Sequence, residues 1–199
     1  MIPPNKNREL HLSTPKCQGH WLAETATCRH NPSPNYNARP VPQTVSLLVI
    51  HNISLPAGEF ATPYVEQLFT NCLDCHAHPS FHDLERVQVS AHLFINRAGE
   101  VCQFVPFDQR AWHAGQSSFA GVANCNDYSI GIELEGADDI AYTQAQYKKL
   151  AELSRYLQAS YPAISKDRIT GHSAIAPGRK TDPGPAFDWP YFYQLLELS

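Results

Sequence analysis

Blocks of lysine and arginine are missing from this chain. Its 15 basic residues are dispersed among 19 acidic ones, for a net charge of −4 and a pI of about 6.2. The electrostatic footprint of a nucleic-acid binder is therefore lacking, and an anionic membrane surface would gain little from such a chain. Long apolar runs are missing as well. The opening "MIPPNKNRELHLSTPKCQGH" has no continuous apolar stretch of the export type, and no later segment could span a bilayer. The expected location is thus the cytoplasm, where the 6 cysteines would be thiols or metal ligands rather than disulfides. What is present is ordinary for a globular protein: 199 residues, 43% hydrophobic and 17% charged, enough for one domain with a real core.

Residues 1–43 are polar and rich in proline and asparagine, and read as an irregular arm packed on the domain or trailing from it, with the folded domain over 44–199. "SLLVIH" (46–51) reads as a buried strand, and "TPYVEQLFT" as a short helix with Pro63 in its first turn. "VQVSAHLFIN" and "EVCQFVPF" form a hairpin signal around "RAG", where Gly99 can take positive φ. "FDQRAWHAGQSSFAGVANCND" is too long and too polar for a simple connection and reads as a functional loop. "SIGIELEG" (129–136) is a second buried strand. A helix begins at Thr143, with Gln146 completing a capping box and Tyr147, Leu150, Ala151, Ser154 and Leu157 facing inward until Pro162 ends it. "RITGH" reads as a last short strand and "WPYFYQLLEL" as a closing helix. With no internal repeats, this pattern predicts an α/β (α+β mixed) fold, a central mixed β-sheet flanked by helices.

Two groups of residues compete for the chemistry. In "NCLDCHAHPSFH" (71–82), Cys72, Cys75, His76 and His78 offer zinc-capable side chains, and "CLDCH" matches a haem-attachment pattern. Covalent haem attachment follows export, which disfavours that reading. The second group is scattered: His51 and His172 close apparent strands, and Asp182 lies in the turn-rich "RKTDPGPAFDW". Two neutral imidazoles and a carboxylate suit a zinc site with the fourth position open. Spacing alone does not bring them together, and His51 by itself reads as a core histidine. Along "SIGIELEG", Glu133 and Glu135 share one face, so either could serve as a base.

"LLVIHNISLPAGEF", "VSAHLFINRAGEVCQFVPFDQRAWHAG", "CNDYSIGIELEG" and "TGHSAIAPGRKTDPGPAFDW" resemble the N-acetylmuramoyl-L-alanine amidase type 2 family, in order and spacing, from about Trp21 to the last helix. The resemblance implies one catalytic Zn2+ on His51, His172 and Asp182, with Glu133 as acid/base and Lys180 as the second catalytic residue. It implies the fold of peptidoglycan recognition proteins, with 44–199 as the zinc amidase domain. The implied reaction is hydrolysis of the amide between the lactyl group of 1,6-anhydro-N-acetylmuramic acid and L-alanine, in cell-wall recycling.

Beside it stand an amidase of intact peptidoglycan and a non-catalytic peptidoglycan-binding module. Lys180 would stabilise the negative oxygen of a tetrahedral intermediate by roughly 3 kcal/mol if typical of one oxyanion donor. Asn52, Trp112 and His113 are candidate substrate contacts, with turn-holding, core packing and a structural hydrogen bond as the respective alternatives. His92 reads as structural or groove-lining. The cysteine–histidine cluster falls in the family's variable loop, so two plain thiols are expected there. Family members often carry arginine where Gln88 and Asn124 stand, which leaves the preferred stem peptide open. An anhydromuropeptide is the expected partner, and a monomer the expected state.

Overall fold

A computed structural model describes residues 20–40 and 44–198; the rest of the anticipated N-terminal arm lies outside the described residues. The strands are β1 (Cys28–His30), β2 (Tyr36–Ala38), β3 (Leu47–Ile53), β4 (Leu93–Ile95), β5 (Val101–Gln103), β6 (Gln109–Ala111), β7 (Ser118–Phe119), β8 (Val122–Ala123), β9 (Ser129–Glu135) and β10 (Ile169–Gly171). The helices are α1 (Tyr64–Phe69), α2 (Gln144–Ser160), α3 (His172–Ile175) and α4 (Trp189–Glu197). Six strands form the central sheet in the order β1-β5-β4-β9-β3-β10, with β4–β5 antiparallel and every other neighbouring pair parallel.

The central strands are apolar because both faces are covered. Leu47, Leu48, Val49 and Ile50 of β3 are all fully buried, the continuous hydrophobic run expected of a parallel strand with layers on either side. Leu48, Ile50, Ile130, Ile132 and Leu134 point into the larger core, where α2 supplies Leu150, Ala151 and Leu157 and α4 supplies Phe192 and Leu196. Each such leucine or isoleucine contributes ~1.5–3 kcal/mol on burial. The expected capping box holds α2 at its start: Thr143 Oγ1 accepts from Gln146 N–H at 3.1 Å, and Gln146 Oε1 accepts from Thr143 N–H at 3.1 Å. Opposite, α1 packs Val65, Leu68 and Phe69 against Phe94, Cys102 and Phe104. No described helix is long and apolar enough to cross a membrane.

Two readings of the sequence need correction. Residues 20–40 are not an irregular arm: β1 pairs with β5 as the edge of the central sheet, and β2 pairs with β6. Strands of three residues are too short for alternation to betray them, and "CRH" gains its place from its partner. Within this segment Arg39 is half-buried and donates to the carbonyls of Phe107, Asn126, Asp127 and Ser129, tying the segment to the domain. Likewise, the region read as one long loop contains β6, the β7–β8 ribbon and a 3-10 turn at Cys125–Asp127.

Candidate metal centre and active site

Register assembles the site. In the parallel pair β3–β9, His51 stands opposite Glu133, and in β3–β10, Ile50 stands opposite Gly171, so His172 follows level with His51. Side chains alternate across a strand, so Leu47, Val49 and His51 share one face of β3 while Ser129, Gly131, Glu133 and Glu135 share that face of β9. β10 ends where α3 begins, and His172 is the first residue of that helix rather than the last of the strand. The segment carrying Asp182 is laid against this junction: Asp182 C=O accepts from Ser173 N–H at 2.9 Å, and a Cβ on Gly171 would lie 2.7 Å from Pro183 Cδ. Only glycine leaves room for that approach.

The three donor atoms form a near-equilateral triangle. His51 Nδ1 lies 3.0 Å from His172 Nδ1 and 3.0 Å from Asp182 Oδ2, and His172 Nδ1 lies 3.1 Å from Asp182 Oδ2. A tetrahedral ion with bonds of ~2.0–2.1 Å needs donors ~3.3 Å apart, so the spacing matches one face of such a site closely. This is the one cluster of three or more potential metal-binding side chains among the described residues.

Protonation suits the same purpose. His172 Nε2 is 3.0 Å from the carbonyl of Ala114, which can only accept, so in the neutral ring the proton sits on Nε2 and Nδ1 is bare. His51 Nε2 is 2.9 Å from His113 Nδ1, and His113 Nε2 is 3.1 Å from Ser129 Oγ. With the proton on His51 Nε2, that relay leaves His51 Nδ1 bare also. Burial lowers the His51 pKa to about 4 despite the Asp182 carboxylate, so the ring is neutral at pH 7. Burial alone would raise the Asp182 carboxyl, but the His172 and His51 rings beside it hold it well below the usual carboxylate range.

Glu133 is the other buried acid at this place. Burial raises its pKa well above the ordinary glutamate value, the Asp182 carboxylate adds to the rise, and the Lys180 ammonium opposes it. Its Oε2 is buried and has no hydrogen-bond partner among the described residues. Glu135, on the same face, is spoken for: it accepts from Ala61 N–H at 2.5 Å and from Arg97 N–H at 2.9 Å. Lys180 is exposed, with its charge felt at both His51 and Glu133.

The candidate substrate contacts behave differently. His113 is buried, both ring nitrogens are engaged inside the protein, and its ring lies against Gly131, where a Cβ would come within 2.5 Å. That is an orienting position behind His51, not an exposed wall. The Asn52 amide donates to Asp138 Oδ1 at 2.9 Å, holding a turn. Trp112 is half-buried, and its indole N–H donates to Asn37 Oδ1 at 2.7 Å. His92 is fully buried, with Nδ1 accepting from Gly131 N–H and Nε2 facing the Gln109 carbonyl. In the loop at 71–82, the thiols of Cys72 and Cys75 turn to nearby backbone carbonyls of Thr70 and Leu73, and His78 caps the following 3-10 turn.

The chain belongs to the N-acetylmuramoyl-L-alanine amidase family, whose model matches residues 41–185. Over 179 residues it is 58% identical to the 1,6-anhydro-N-acetylmuramyl-L-alanine amidase AmpD of Salmonella typhimurium strain SL1344, covering 90% of this chain and 94% of that protein. A crystal structure of a Se-Met AmpD derivative superposes with a TM-score of 0.84 at 55% identity, over 87% of this chain and 96% of that one. The amidase AmiD from E. coli, solved with the substrate anhydro-N-acetylmuramic acid-L-Ala-D-gamma-Glu-L-Lys, aligns at a TM-score of 0.57 and 29% identity, over 78% of this chain and 59% of that one.

Proposed function

We propose that this protein is a zinc-dependent amidase that hydrolyses the bond between the lactyl group of 1,6-anhydro-N-acetylmuramic acid and L-alanine in anhydromuropeptides. The observation that carries the reading is the triangle of His51 Nδ1, His172 Nδ1 and Asp182 Oδ2 beside the buried carboxyl of Glu133, whose Oε2 has no partner among the described residues. Two neutral imidazoles and one carboxylate are the donor set of hydrolytic zinc sites, and the relatives at 56–58% identity are anhydromuramyl-L-alanine amidases by name.

An amide needs help at three places: the attacking water, the carbonyl and the departing amine. Bound zinc supplies Lewis acidity. His51, His172 and Asp182 would hold it, and the outer partners of the two rings keep their lone pairs aimed inward. Glu133 takes the proton of the attacking water and returns it to the alanine nitrogen; a carboxyl with a raised pKa is suited to both halves of that transfer near neutral pH. Lys180 offers its ammonium to the oxygen that gains charge as the carbonyl becomes tetrahedral.

The test pairs metal analysis with hydrolysis of a defined anhydromuramyl peptide. Wild type should hold one equivalent of zinc, His51→Ala should lose both metal and turnover, and Glu133→Ala should keep metal while losing ~10²–10⁴-fold in rate. Stoichiometric metal and full turnover in His51→Ala would overturn the reading, as would zinc-loaded wild type that binds the peptide without cutting it.

A further inference from the structure

The distal nitrogens of the two histidines are held by consecutive residues. His51 Nε2 meets the ring of His113, and His172 Nε2 meets the carbonyl of Ala114. Neither residue lies in a helix or strand. A backbone with no ladder to hold it needs some other anchor if it is to present two acceptors in fixed positions.

That anchor is one side-chain atom. Asn126 Oδ1 accepts from His113 N–H at 3.2 Å and from Ala114 N–H at 2.8 Å. Both partners are donors, so the amide oxygen, not its nitrogen, faces them. Asn126 is itself buried, within the 3-10 turn Cys125–Asp127, and its own carbonyl is held by Arg39 at 3.1 Å. Two further contacts lock the same dipeptide. The Ala114 carbonyl also accepts from Arg179 Nη2 at 2.6 Å, and the His113 ring is pressed against Gly131.

We propose that Asn126 is the positioning residue of the metal centre: by gripping two successive amides it sets His113 Nδ1 and the Ala114 carbonyl, which in turn orient His51 and His172. The inference rests on the metal-amidase reading. It predicts that Asn126 governs metal affinity and ligand geometry without touching metal or substrate. Asn126→Ala frees both amides, and the two imidazoles lose their fixed acceptors together. Asn126→Asp keeps an acceptor oxygen in place.

Zinc affinity of the full chain, measured by competition with a chromophoric chelator, separates the outcomes. Asn126→Ala should bind zinc ~10–100-fold more weakly, the usual cost of losing an outer partner of a ligating histidine, while Asn126→Asp should stay within about threefold of wild type. The visible absorption bands of the cobalt-loaded protein report ligand geometry; they should shift in Asn126→Ala and return in Asn126→Asp. Melting of the same metal-free samples shows whether each variant is folded. Should Asn126→Ala fail to fold, His113→Phe keeps ring volume but removes the acceptor, and it too should bind ~10–100-fold more weakly. Wild-type affinity in Asn126→Ala, equal weakness in Asn126→Asp and Asn126→Ala, or wild-type affinity in His113→Phe would each overturn the proposal. Failure of wild type to take up one zinc would instead overturn the reading beneath it.

Discussion

Glu133→Gln should make the metal-free protein more stable at neutral pH while abolishing turnover. Glu133 is 8% exposed, its Oε2 has no partner among the described residues, and Asp182 stands nearby as a second negative charge. All of this disfavours the ionised form, so the folded-state pKa lies above the unfolded one. The sign follows from linkage. Between the two pKa values the unfolded chain has released the proton that the folded chain still holds, so stability present below the unfolded pKa, ~4.3, is lost as pH rises toward the folded one. Glutamine does not titrate and escapes that loss.

Each tenfold rise in proton affinity on folding is worth ~1.4 kcal/mol, and each ~1 kcal/mol moves the melting temperature by about 2–4 °C for a chain of this size. The assay is thermal melting of both proteins in chelator from pH 4 to pH 8, with metal removed because a bound cation would favour the carboxylate. The melting-temperature gap should open in favour of glutamine as pH rises. A gap that stays flat, or that turns toward wild type with rising pH, would refute the reasoning.

Three other outcomes follow from the same geometry. Gly131→Ala places a methyl 2.5 Å from the His113 ring, so it should cost ~1–3 kcal/mol in folding stability and weaken zinc binding, read by melting and chelator competition. Adding zinc at a hundredfold excess over its Kd should stabilise the protein by ~2.7 kcal/mol, and His51→Ala should abolish the increment. Replacing Cys72 and Cys75 by serine should change stability by less than about 0.5 kcal/mol and leave zinc content at one per chain, because neither thiol is buried.

Much of the architecture was legible because burial writes itself into local pattern. The run at 47–50, the capping box at Thr143 and Gln146 and the inward stripe of α2 all emerge where expected, each set by neighbours within a few residues. The edge strand β1 was not. Three residues in parallel pairing depend wholly on Val101–Gln103 across the sheet, 73 positions away, and nothing within "CRH" records that partner.

The active site divides along the same line, and the two glutamates of β9 show why. Alternation puts Glu133 and Glu135 on one face, and by composition they are the same residue. They part only through distant backbone: Ala61 and Arg97 bring amide N–H groups to Glu135, whereas Glu133 is left near Asp182 with Oε2 unmatched among the described residues. A carboxylate that accepts two amide hydrogens is pinned by them and becomes a structural clasp. One that is buried without such donors among the described residues binds a proton more readily, which suits it to taking a proton up and passing it on. What separates the two carboxyls is therefore the supply of N–H groups from loops outside the strand, a quantity no periodicity within "SIGIELEG" can encode. The same rule, inverted, describes the histidines. His51 and His172 present bare nitrogens inward because acceptors from His113 and Ala114 occupy their far sides, so the chemistry at the centre is decided one layer out.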